Sequence, residues 1–86
     1  GFPKFFTPNN DTYNDTWQVY GTNSQFRSIS RIYIFDRFGK LIKEMDPQSI
    51  GWNGTLNGEA LPASDYWFLA KFSDGKEFRG HFALVR

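Results

Sequence analysis

YWFLAKFSDGKEFRGHFALV, residues 66–85, decides how this chain folds. Tyr66–Phe72 is an apolar, aromatic run, and Asp74–Gly75 interrupts it. Lys76–Val85 then runs back. Asp-Gly between two alternating runs predicts a two-residue hairpin turn with positive φ at both turn residues. On the return strand Phe78, Gly80, Phe82 and Leu84 fall on one face, and Glu77, Arg79, His81, Ala83 and Val85 on the other. One side of this hairpin therefore faces a core.

The same reading extends upstream. Arg31–Asp36 is apolar on both faces, which predicts a strand in the interior of a sheet. Phe38-Gly39 turns the chain into Lys40–Met45, its expected hairpin partner. Asp46–Pro62 is crowded with turn signals: Asp46-Pro47, Asn53-Gly54 and Asn57-Gly58. Trp17–Tyr20 reads as a second short strand, and Phe2–Phe6 as an apolar opening stopped by Thr7-Pro8. Helix formers are sparse, with four Ala and five Leu, while aromatic and β-branched residues favour the pleated surface of a sheet. The expected fold is all-β: an immunoglobulin-like β-sandwich of about seven short antiparallel strands. A small closed barrel is the alternative. No repeat, linker or low-complexity tract divides the chain, so residues 1–86 read as one domain.

Composition excludes several functions. Ten Lys plus Arg against nine Asp plus Glu leave a net charge of +1, which gives no field for nucleic acid or anionic lipid. Ten Phe, four Tyr and three Trp are far too much aromatic surface for a disordered chain. With no cysteine, a disulfide scaffold is impossible. No apolar run is long enough to span a membrane. No basic-then-apolar leader opens the chain, so it is either cytoplasmic or cut from a longer precursor, and the second is expected.

Individual residues carry competing readings. Asn9, Asp11 and Asp15, with Asn10 and Asn14, offer oxygens for calcium. Asn and Asp also favour turns by bonding their own backbone, and the spacing is not that of an EF-hand. The turn is the preferred reading, and no cofactor is expected. Asp36, Arg37, Phe38 and Lys40 form a charged hairpin tip, either solvated or a recognition tip on a rigid sheet. Arg79, His81 and Arg86 lie on the closing strand, whose charges either blunt an edge or dock it to a partner. His81, the only histidine, has no nucleophile patterned beside it, and one His without Cys makes no zinc site. The three tryptophans, Trp17, Trp52 and Trp67, are expected in or beside the core. Trp52, in its turn-rich segment, is the one that an exposed anchor would use.

Four segments together resemble a known family. FFTPNNDTYNDTW (Phe5–Trp17), IYIFDRFGKLI (Ile32–Ile42), GWNGTLNGEALPASDYWF (Gly51–Phe68) and FRGHFALVR (Phe78–Arg86) are similar to the gliding-motility-associated C-terminal domain. These are the type B sorting domains of the type IX secretion system of Bacteroidota. The resemblance covers essentially the whole chain, with the motifs in the family's order. Gly80-His81-Phe82 followed by a basic Arg86 resembles the way such domains close. The chain differs where the family usually has Asn-Gly-Asp-Gly, here Asn9-Asn10-Asp11-Thr12, and Trp-Asp-Gly, here Trp52-Asn53-Gly54. Both differences remove features that favour a metal-bound or sharply turned loop.

The resemblance implies a secretion signal rather than an enzyme. It would direct a large cargo, such as a gliding adhesin, through the periplasm and across the outer membrane to the cell surface or medium. The implied partners are the type IX outer-membrane translocon and a PorP/SprF-family outer-membrane β-barrel protein. The residues expected to meet them are Asp36, Arg37, Phe38, Lys40, Arg79, His81 and Arg86. The chief alternative is a carbohydrate-binding or adhesive β-sandwich module, which would expose two or more Trp or Tyr in a flat row and not bury all three Trp. A passive structural spacer is the third reading.

Overall fold

A computed structural model describes residues 2–9, 15–18, 29–46 and 51–86. Its strands are β1 (Phe5–Phe6), β2 (Ile29–Phe35), β3 (Leu41–Met45), β4 (Thr55–Leu56), β5 (Glu59–Ala60), β6 (Ser64–Phe72) and β7 (Glu77–Leu84). Five of them form one sheet in the order β1-β7-β6-β2-β3, and β4 pairs with β5 in a small second sheet. The all-β, immunoglobulin-like sandwich expected from the sequence is what forms. β2 lies inside the sheet between β6 and β3, as its two apolar faces demand. One pair departs from the antiparallel rule: β1 runs parallel to β7, with Phe5 beside Ala83 and Phe6 beside Leu84.

Alternation along the strands sorts the side chains. Tyr66 pairs with Phe82, Phe68 with Gly80, and Ile34 with Phe68, so these residues share one face. That face carries the core: Phe6, Ile32, Ile34, Met45, Tyr66, Phe68, Ala70, Phe82 and Leu84 are all buried. The cover over it comes from Trp17 and Trp52, also buried, which join in an antiparallel bridge. The Trp17 indole stacks on Phe82 at 4.5 Å between centroids, and Trp52 meets Tyr66 edge-on at 5.2 Å. Each such side chain contributes roughly 1.5–3 kcal/mol through burial. Their polar ends are all used. Trp17 Nε1 donates to Pro3 O, Trp52 Nε1 to Thr55 O, and Tyr66 Oη to Pro62 O, each at 2.9 Å. Among the described residues no buried side-chain nitrogen or oxygen lacks a partner, which removes the main cost of burying Trp and Tyr.

The turns correct one expectation. The β6–β7 loop is not a two-residue turn with two positive φ values. Gly75 N–H donates to Phe72 O at 3.0 Å, Phe72 N–H to Lys76 O at 2.8 Å, and only Gly75 has positive φ, at 91°. This is a three-residue loop, a type I turn closed by a left-handed glycine. Asp74 favours it by accepting Lys76 N–H at 3.0 Å. The β2–β3 tip repeats the design: Gly39 N–H to Asp36 O and Asp36 N–H to Lys40 O, both at 3.0 Å, with Gly39 at φ 83°. The turn with two positive φ values is Asn57-Gly58, at 54° and 84°, between β4 and β5.

Candidate partner-recognition face

A sheet covered on one side alternates apolar-in and polar-out. Here the outward face breaks that rule toward one end. Leu41, Phe35, Trp67 and His81 are cross-strand neighbours in one row over β3, β2, β6 and β7. The next row is Glu44, Tyr33, Leu69 and Arg79. Trp67 is 41% exposed and Leu41 50%. The third row is polar and paired: Arg31 meets Glu44 at 3.4 Å, and Glu77 meets Lys71 at 4.0 Å and Arg79 at 3.4 Å. These exposed pairs are individually weak, but they make the far end of the face hydrophilic. The apolar end lies against the β2–β3 tip.

There the face dips into a shallow depression of about 400 Å³, lined by Phe35, Asp36, Arg37, Trp67, Leu69 and Arg79 among others. An aromatic floor with two guanidinium groups at the rim is chemistry for a protein partner that offers apolar side chains and carboxylates. The tip is held rigidly. Asp36 Oδ1 accepts both Phe38 N–H and Lys40 N–H at 2.9 Å, so this carboxylate orients the loop. Arg37 lies 4.9 Å over the Phe38 ring, and Phe38 is 79% exposed. On the other side of the tip Arg37 and Phe38 also border a smaller groove of about 260 Å³ with Leu61, Pro62 and Tyr66.

The structure thus brings Asp36, Arg37 and Arg79 to one depression. His81 adjoins it, its ring 6.1 Å from Trp67. Phe38 and Lys40 sit on the exposed tip. Arg86 lies elsewhere: its Nε donates to Leu61 O at 2.7 Å and its Nη2 to Gly54 O at 3.2 Å. It clasps the segments flanking the small sheet. Sequence reasoning missed Phe35, Trp67 and Leu69, and it placed Trp67 in or beside the core and Trp52 as the exposable one. The structure keeps Trp52 in the core, as expected of all three tryptophans, and Trp67 is the one that faces out. Among the described residues Trp67 is the one exposed Trp or Tyr, with Tyr33 half-buried in the next row, so these residues do not present a flat row of exposed Trp and Tyr. Of the calcium candidates, Asn9 N–H donates to Asp15 Oδ1 at 3.2 Å, and Asp11 lies outside the described residues. Among the described residues no cluster of three or more His, Asp or Glu side chains is grouped as metal ligands. Nor is any helix long and apolar enough to cross a membrane.

Family comparison gives this face its context. The CHU_C type IX secretion signal domain matches residues 1–84, and the chain belongs to that family. It is a sorting signal for the type IX machinery, a non-catalytic module that marks its cargo for export across the outer membrane to the cell surface or medium. No curated protein and no solved structure matches the chain.

Proposed function

We propose that this domain is a folded recognition module whose open sheet face and β2–β3 tip are read at the outer membrane. The reader is a PorP/SprF-family β-barrel protein working with the translocon, and the cargo is a large surface protein of Bacteroidota such as a gliding adhesin, met while in transit through the periplasm. The observation that carries this reading is the family match over residues 1–84. The exposed Trp67 beside Arg37 and Arg79 supports the choice of surface. Recognition here is by shape and charge, so the domain acts without catalysis and without a cofactor. EDTA is expected to leave both its unfolding midpoint and its partner binding unchanged.

Binding of the 86-residue chain to the purified β-barrel partner in detergent tests the surface. Trp67→Ser and Arg37→Ala are expected to weaken binding at least tenfold while leaving the fold intact, because both residues lie outside the core on the exposed side of the sheet and its tip. Full binding by both variants would place recognition elsewhere on the domain.

A further inference from the structure

About three quarters of the outer edge of β7, Glu77–Phe82, has no strand partner among the described residues. β1 covers only Ala83 and Leu84. The bonds Ala83 N–H to Lys4 O at 2.9 Å and Val85 N–H to Phe6 O at 3.0 Å fix the direction of the main chain. Odd-numbered residues of β7 turn their N–H and C=O groups away from β6, and by strand periodicity Glu77, Arg79 and His81 do the same. The described chain before β1 does not cover them. It dips to the core side, where the Phe2 ring lies 4.6 Å from Phe68 and 5.3 Å from Phe78. An open edge of this kind is a template for another strand.

We propose that the edge binds a second copy of this chain, through antiparallel β7–β7 pairing about a two-fold axis at Phe78. Self-pairing of one edge permits few registers. Centring on Glu77 sets carboxylate against carboxylate, and centring on Arg79 sets guanidinium against guanidinium. Centring on Gly80 drives Glu77 against Ala83, whose N–H is already bonded to Lys4. Centring on Phe78 alone sets Glu77 opposite Arg79 on both sides of the axis. Unlike charges directly opposite stabilise a strand pair and like charges oppose it.

The rest of that register is also self-complementary. Glu77 and Arg79 both turn their main-chain groups outward, so the two pairs exchange about four hydrogen bonds. Phe78, 50% exposed, meets its own copy on the axis in a non-hydrogen-bonded pair, where side chains come closest. Lys76 falls opposite Gly80, which has no side chain to obstruct it. Glycine is required there, since a Cβ would stand 2.7 Å from the Phe68 ring. A two-fold axis normal to the sheet leaves both Trp67 faces on the same side, so the pair presents its recognition surface twice. The inference does not depend on what reads that face.

Sedimentation equilibrium of the 86-residue chain at low salt, over a concentration series reaching the millimolar range, tests the proposal. The mass is expected to rise from the 10.0 kDa monomer toward twice that value. Arg79→Glu and Glu77→Arg should each weaken association about tenfold or more, and the double reversal Glu77→Arg/Arg79→Glu should restore it. Amide exchange of the unmodified chain gives an independent reading, with the Glu77 and Arg79 amides slowing on concentration. A chain that stays monomeric throughout overturns the proposal. So does association that ignores the single reversals, is not recovered by the double reversal, or leaves those two amides unprotected.

Discussion

Trp17 and Trp52 exchange a pair of main-chain hydrogen bonds, Trp17 N–H to Trp52 O at 2.7 Å and Trp52 N–H to Trp17 O at 2.9 Å. This bridge, rather than a second large sheet, closes the core side of the five-stranded sheet among the described residues. It brings two indoles together over Phe82. With that side sealed, the opposite face is the one proposed to meet the partner.

The bridge depends on Gly51. Its φ is +100°, and a Cβ there would lie 2.5 Å from Trp17 O, where only backbone could give way. Gly51→Ala should therefore destabilise by about 2–4 kcal/mol, combining backbone strain with overpacking. Gly58→Ala is the control. Its φ is also positive, at +84°, but nothing lies within 4 Å, so only the conformational cost of about 1–2 kcal/mol applies. Urea unfolding midpoints measure both.

Two tryptophans of equal size should behave oppositely. Trp52→Ala removes a buried indole and is expected to cost about 3–5 kcal/mol. Trp67→Ala, at a side chain 41% exposed, should cost about 1 kcal/mol or less. Chemical denaturation distinguishes them, and equal losses would contradict the assignment of the two faces.

Arg86 is assigned a role in the fold. Arg86→Ala loses the bonds to Leu61 O and Gly54 O. Part-exposed charged hydrogen bonds of this kind place the expected cost near 1 kcal/mol. Arg86→Lys should not recover it, because one ammonium cannot reproduce the guanidinium fork that reaches two carbonyls. Amide exchange at Leu61, which donates to Gly54 O at 2.9 Å, should quicken in both variants.

Tyr66 makes stability fall in alkali. Burial pushes its phenol above the ordinary value of 10.0, opposed by Arg86, reinforced by Asp36 and opposed by Arg37. Its hydroxyl also donates to Pro62 O, which favours the neutral form. In the unfolded chain the phenol ionises first, so the unfolded state binds fewer protons above about pH 10. The contribution is therefore complete below pH 10 and is lost as pH rises toward the folded value. Unfolding midpoints from pH 8 to 11 should fall more steeply for the native chain than for Tyr66→Phe.

Local periodicity made the β6–β7 hairpin, the interior position of β2 and the pairing of β3 legible in the sequence. It also placed Glu77, Arg79 and His81 on one face. It could not say which face of β6 is inward, because Tyr66 and Phe68 on one side compete with Trp67 and Leu69 on the other. The choice is made by Trp17, Trp52 and Phe6, and these reach the core through non-local pairings that leave no local pattern. The parallel β1–β7 contact is of the same kind. At Asp74-Gly75 the turn residues were legible, but a dipeptide does not fix loop length. Arg86 read as either a solvated edge charge or a docking charge because its two carbonyl acceptors belong to a distant segment.

Export itself tests the central claim most directly. A fluorescent reporter carrying an inner-membrane export signal is joined at its C-terminus to residues 1–86 and expressed in a type IX-competent host and in the same host lacking the secretion system. The account predicts reporter outside the cell in the first host and retention in the periplasm of the second, with loss of export when the domain is deleted. A folded reporter that remains in the periplasm of the competent host would contradict it.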